Sequence, residues 1–375
     1  MKKFIYLCGM MLMTLNMTAQ FLDDNWNEII NDDFSDFVGW NQNSFIELSR
    51  FQGYQPIWEC FMRDSFTGVT SDDRHQAYQT HCAFLNADNK MTLKAQYISN
   101  TSLICGVDYS IPFGRQCSDN NHPFPNDIFY YSGTIETKSK YWFGYYEIKC
   151  RLPVHQGTKT SFWLFGGGPH SYEEIDIFEH SEDDCSNQLD RGFSCGIHYN
   201  PYSTSYSGAH NTVKLFYVSD NSGSDLSEEH TYACEWLPNK ITWFFDRKVI
   251  FECNDRSEIP QYPMRIKVTH PLTYRALNGD SPGWFGTDNV VIDYIKYYQI
   301  EFDCNTDIAI RNTGDIMGYQ PGVKHAIAIG TSGGLEIPSG TDISFMASES
   351  ITINDELTIP VGAKVTMRTL GCPEE

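Results

Sequence analysis

Glu173-Glu174-Ile175-Asp176-Ile177-Phe178-Glu179-His180 is the stretch on which the reading of this chain turns. Its acids interleave with Ile175, Ile177 and Phe178, the pattern of a strand buried in a sheet. Three carboxylates at spacings of two and three arise by chance roughly once in a chain this rich in acids, so the bare pattern says little. Burial gives it weight, because carboxylates in an apolar strand are costly unless they do chemistry. In a regular strand Glu174 and Asp176 share a face and Glu179 points away. One β-bulge between Asp176 and Glu179 would bring all three to the same face. The two glutamates would then lie roughly 13 Å apart at Cα, at about 3.3 Å per residue. Side chains leaning together could close their carboxyls to about 5–5.5 Å. Glu173 falls on the opposite face by parity, and so does His180, which argues against a catalytic metal there.

Outward from this strand, residues from about 26 to 300 form short alternating or aromatic-rich runs split by Gly, Asn, Asp and Pro. Met91-Thr92-Leu93-Lys94-Ala95, Tyr145-Tyr146-Glu147-Ile148-Lys149-Cys150 and Ile241-Thr242-Trp243-Phe244-Phe245 are examples. Each fits one strand, and no long run has the 3.6-residue helical period. Many strands without βα alternation predict one large antiparallel β-sandwich. Near residue 303 the composition changes. Aromatics thin out, and Ile337-Pro338-Ser339-Gly340 recurs as Ile359-Pro360-Val361-Gly362. That repeat predicts a small stacked β module over 304–375, a spacer or attachment unit with no catalytic cluster. Deleting residues 306–375 is expected to leave the sandwich folded and active on soluble oligosaccharide.

The chain has 375 residues, 27 basic and 48 acidic, for a net charge of −21. So acidic a surface excludes a nucleic-acid partner and disfavours anionic membranes. A hydrophobic fraction of 41% supplies a core, and 14% aromatics suit sheet faces or sugar-stacking surfaces. Lys2 and Lys3, the apolar run Phe4 to Leu15 and the small residues Thr18-Ala19 read as a bacterial-type secretory signal peptide over residues 1–20. A secreted, cell-surface or periplasmic protein follows, with no later membrane insertion. Its cleavage would remove Cys8 from the 12 cysteines, leaving 11 in an oxidising compartment where disulfides are the default. Cys105 with Cys117, and Cys304 with Cys372, are plausible bridges. None shows the paired spacing of a zinc site.

Glu174-Ile175-Asp176-Ile177-Phe178-Glu179 resembles the bulged signature of glycoside hydrolase family 16, the laminarinase- and agarase-like enzymes. Ser132-Gly133-Thr134-Ile135-Glu136, Phe143-Gly144-Tyr145-Tyr146-Glu147-Ile148, Arg151-Leu152-Pro153 and Ser161-Phe162-Trp163-Leu164 precede it in the family's order. Ile197-His198-Tyr199, His230-Thr231-Tyr232, Glu235-Trp236, Asp246 and Ile292-Asp293-Tyr294-Ile295 follow it. The resemblance spans about residues 26–300 and implies a concanavalin-like jelly roll of two antiparallel sheets over 21–303. It also implies a nucleophile at Glu174, a general acid/base at Glu179 and Asp176 between them. Trp163 and His198 match cleft positions, and Trp142, Trp236 and Trp284 are candidates for outer sugar subsites. No cofactor is required, although a structural calcium could find ligands at Asp32, Asp33 and Asp36. A monomer acting on polysaccharide is expected. The loop Gly166-Gly167-Gly168-Pro169-His170-Ser171-Tyr172 departs from the glucan-cleaving pattern. That keeps algal galactans, and a non-catalytic sugar-binding protein, as alternatives to β-1,3- or mixed-linkage glucan.

Overall fold

The computed structural model describes residues 26–35, 57–59, 76–78, 82–97, 130–153, 158–166, 172–181, 192–200, 212–218, 225–271, 287–319, 322–330 and 334–372. The proposed signal segment, the Cys105/Cys117 pair, Asp36, Trp284 and most of the Gly166–Tyr172 loop lie outside them.

Strands dominate, as the alternating runs predict. Numbering the longer ones in chain order gives β1 (Trp26–Asp32), β2 (Met91–Tyr97), β3 (Tyr130–Thr137), β4 (Gly144–Arg151) and β5 (Lys159–Phe165). β6 (Tyr172–Ser181), β7 (Phe193–Asn200), β8 (Thr212–Val218), β9 (His230–Leu237) and β10 (Lys240–Phe245) follow. β11 (Lys248–Cys253), β12 (Arg265–His270) and β13 (Thr287–Ile300) complete the sandwich. One sheet runs β8-β7-β6-β5-β12-β3, and the other runs β2-β13-β4-β9-β10-β11 with β1 added against β13. β3 joins the two: Tyr130 and Tyr131 pair with β2, whereas Gly133 to Glu136 pair with β12. The two-sheet jelly roll is therefore present.

Between the sheets sits one large core that includes Ile135, Ile148, Phe162, Leu164, Ile175, Phe178, Ile197, Trp236, Trp243, Ile266 and Ile292. Apolar residues at alternate strand positions generate it. Cys150, Cys195, Cys234 and Cys253 are buried in it as thiols, and Cys82 is a buried thiol as well, so disulfides, the default expectation, do not form at these five positions. Burial pushes the Cys82 thiol up to about 12, with Lys94 opposing the shift, so it stays protonated and unreactive.

The C-terminal module is a stack of parallel strands, β14 (Val323–Ile329), β15 (Asp342–Ile353) and β16 (Lys364–Thr369). Asp342 pairs with Lys364 and Leu335 with Leu357, each one 22-residue repeat apart. Its own core holds Ile310, Ile327, Ile329, Ile337 and Phe345. A disulfide joins Cys304 to Cys372, one of the two bridges anticipated.

Of the acids named for calcium, Asp32 and Asp33 lie among the described residues and Asp36 does not. Asp32 accepts hydrogen bonds from the Phe34 amide at 2.7 Å and the Trp58 indole at 2.8 Å. Asp33 caps the Ser35 amide at 3.0 Å.

Candidate active site

β6 carries a bulge between Asp176 and Glu179, the irregularity that would bring its three acids to one face. On the β5 side Phe162 faces Phe178 and Trp163 faces Asp176. On the β7 side Ser194 faces Glu179 and Gly196 faces Asp176. Each neighbour covers the interval from Asp176 to Glu179 with one residue fewer than β6 uses. The extra residue makes Ile177 and Phe178 consecutive core side chains, both buried. Glu174, Asp176 and Glu179 consequently share the outer face of their sheet.

A residue the sequence did not single out fastens this bulge. Trp243, reaching across from β10, donates its indole N–H to the Asp176 carbonyl at 3.0 Å inside the core. Trp243→Phe should leave that carbonyl without its donor, costing about 1–3 kcal/mol before any cavity term. The expected result is a lower urea midpoint and a kcat that falls more than KM rises. A variant with wild-type kcat would show that the bulge holds without this bond.

Cross-strand pairing lays the surrounding side chains out in rows. Glu179 is level with Ser161, Thr269 and Thr134; Asp176 with Trp163, Lys267 and Glu136; Glu174 with His198 on one side and Phe165 and Arg265 on the other. His198 Nε2 lies 3.1 Å from Asp176 Oδ2. Lys159, two positions before Ser161 and so on the same face, places Nζ 2.5 Å from Glu179 Oε1. Lys267 is buried, pairs with Glu136 Oε2 at 2.8 Å and lies 5.1 Å from the centre of the Trp163 ring. Arg265 reaches Glu136 Oε1 at 3.2 Å. Lys159, Lys267, Arg265 and Glu136 were not anticipated, although the parity of Lys159-Thr160-Ser161-Phe162-Trp163 would have placed Lys159.

Electrostatics follow from this crowding. Burial, then the charges of Glu179 and Glu174, hold the Asp176 carboxyl well above its ordinary range, with His198 opposing. Burial pulls the His198 imidazolium down, but Asp176, Glu174 and Glu179 more than offset it, so its net shift is upward. Lys159 behaves alike: burial lowers it, and Glu179 foremost among the carboxylates raises it further.

The tryptophans divide. Trp163 stands half-buried beside Asp176, one flank taken by Lys267. Trp236 is wholly buried between the sheets and donates to the Pro260 carbonyl at 3.0 Å, so the proposed sugar subsite there is corrected to a core position. Trp142 stacks on Phe143 at 5.2 Å and donates to the Gln261 carbonyl at 2.8 Å, which fixes it against the core edge. Glu173 and His180 are buried, as parity predicts. The His180 ring nitrogens face the Gly192 and Pro153 carbonyls at 2.8 and 3.2 Å.

The model of the family described as glycosyl hydrolases family 16 matches residues 69–295. Among curated proteins, the chain is 28% identical over 182 residues to the endo-1,3-1,4-beta-glycanase ExsH of Rhizobium meliloti, covering 48% of this chain and 35% of that one. It is 24% identical over 227 residues to a beta-glucanase of Acetivibrio thermocellus, covering 57% and 61%. The chain thus spans less than two thirds of the length of these relatives. Among solved structures, one from work on endo-acting O-glycanases of the human gut microbiota aligns with TM-score 0.50 and 19% identity over 75% of this chain and 96% of its own. LamA from Z. galactanivorans, in complex with laminaritriose and laminaritetraose, aligns with TM-score 0.49 and 17% identity over 73% and 99%. At 19% identity, the first of these likenesses concerns the fold alone. With the family model covering the whole bulged-strand face and more than half of the sequence, the chain belongs to glycosyl hydrolases family 16.

Proposed function

We propose that this protein is a secreted, endo-acting, retaining glycoside hydrolase that cleaves a β-linked polysaccharide, with β-1,3- or mixed-linkage glucan as first choice. The observation that carries the reading is the bulge that turns Glu174, Asp176 and Glu179 onto one face. Glu174 attacks the anomeric carbon and forms a glycosyl-enzyme ester while the bond to the leaving oxygen breaks. Glu179 gives its proton to that oxygen, then takes one from the water that attacks the same carbon and frees Glu174. Asp176, between them, hydrogen-bonds Glu174 and keeps neighbouring charges from confronting one another. Trp163 offers the sugar its remaining apolar flank, and His198 holds Asp176 in place. The glucan assignment draws on what the curated relatives are named for. Purified protein incubated with laminarin, lichenan, agarose, porphyran and carrageenan should release reducing ends from laminarin or lichenan first. Cleavage of a galactan alone would replace the glucan, and inactivity on all five would favour a sugar-binding protein.

A further inference from the structure

We infer that Glu174, Asp176 and His198 form a binding site for a borderline divalent cation, Zn²⁺ foremost, whose occupancy inhibits the enzyme. Each of these side chains offers a ligand atom, and the three atoms lie within 4.8 Å of one another. They come from adjacent strands held by regular pairing: Glu174 and Asp176 two apart on β6, His198 directly opposite Glu174 on β7. The separation of His198 Nε2 and Asp176 Oδ2, 3.1 Å, is close to the roughly 3.3 Å expected between two ligands that each stand about 2.0–2.1 Å from a tetrahedral ion. Asp176 is almost fully buried, and its Oδ2 takes no aligned hydrogen bond among the described residues; it points at the imidazole instead. That oxygen is thus already desolvated and aimed into the cluster.

Donor chemistry selects the ion. One imidazole nitrogen and two carboxylates suit Zn²⁺, and Cu²⁺ or Ni²⁺ after it. Ca²⁺ and Mg²⁺ are hard cations that favour all-oxygen ligand sets, so an imidazole nitrogen as one of three protein ligands disfavours both. The fourth position of a bound Zn²⁺ would be filled by water from the open side. A cation there would engage the carboxylate proposed as nucleophile, so sugar and metal would exclude each other. Inhibition rests on the proposed function; binding of the metal does not.

Calorimetric titration of the EDTA-stripped full chain with ZnCl₂ tests this. One Zn²⁺ per chain is expected at this site, with an upward shift of the melting temperature, and no matching signal from CaCl₂ or MgCl₂. His198→Gln and the near-isosteric Asp176→Asn should each weaken binding by at least about tenfold, with folding checked by the melting transition in EDTA. Glu179→Gln, outside the triad, should bind Zn²⁺ as the wild type does although it is hydrolytically impaired. Absence of binding in the wild type would overturn the proposal. So would binding indifferent to His198→Gln, or binding lost instead in His325→Gln, whose ring pairs with Asp307 and Glu349 on the surface. Metal binding without hydrolysis of any polysaccharide would support this site while removing the proposed function. Hydrolysis without Zn²⁺ binding would do the reverse.

Discussion

Glu174→Gln should reduce kcat on the substrate polysaccharide by about four orders of magnitude or more, because an amide cannot form the glycosyl-enzyme ester. Glu179→Gln should lose about 10²–10⁴-fold, the usual worth of a positioned acid/base. The two losses are separable. An aryl oligosaccharide with a good leaving group needs no proton to depart, so Glu179→Gln should regain bond cleavage on it, as a burst that stalls at the glycosyl-enzyme. Glu174→Gln should stay inactive on both. Neither change should unfold the protein. Each replaces a carboxylate by a shape-matched amide inside a cluster where Glu174 and Glu179 push the Asp176 carboxyl upward. Relief of that crowding predicts melting temperatures equal to or above the wild type, the usual trade of stability against a charged site. Turnover by Glu174→Gln within about tenfold of wild type would sink the role assignment.

How much of this was readable beforehand depends on which interactions are local. The bulge was legible because strand parity alone makes Glu174, Asp176 and Glu179 inconsistent with one face unless a residue is inserted. The repeat at 22 residues was legible because parallel stacking sets Leu335 beside Leu357, and like side chains recur. What spacing could not show was pairing at a distance. Lys267 meets Glu136 only because β12 lies between β5 and β3, an order fixed by the whole topology. Trp243 looked like one more core aromatic, and its bond to the Asp176 carbonyl depends on how the two sheets stack. Trp236 failed as a subsite for the same reason. An aromatic in an alternating strand has two faces to choose from, and parity alone does not say which faces the core.

The C-terminal module shows the same limit. Composition marks it off as a separate unit, yet it docks on the second sheet. Val323, Met346 and Leu370 pack with Trp26, Tyr145, Ala233, Leu237, Phe244 and Ile300 in one apolar cluster. Tyr145 and Glu235 are cross-strand neighbours on the outer face there, away from the carboxylate row on the other sheet. Arg368 from β16 forks onto both oxygens of Glu235, which is almost wholly buried, with one contact at 3.2 Å. Arg256 and Asn239 of the sandwich donate to the Cys372 and Thr369 carbonyls at 3.0 and 3.3 Å. The Cys304–Cys372 bridge closes a 68-residue span, worth about 4 kcal/mol in the chain-entropy account. Arg368→Ala leaves the Glu235 carboxylate buried without its cation, so a loss of about 2–3 kcal/mol is expected, read as a lower urea midpoint with an unchanged slope. Removing residues 304–375 should do more. It bares the Tyr145–Phe244 patch, which should lower the melting temperature and drive self-association on gel filtration. Hydrolysis per folded molecule should nevertheless survive, since Glu174 and Glu179 lie on the opposite sheet. A truncated sandwich that melts with the full chain and stays monomeric would show that this interface contributes nothing to stability.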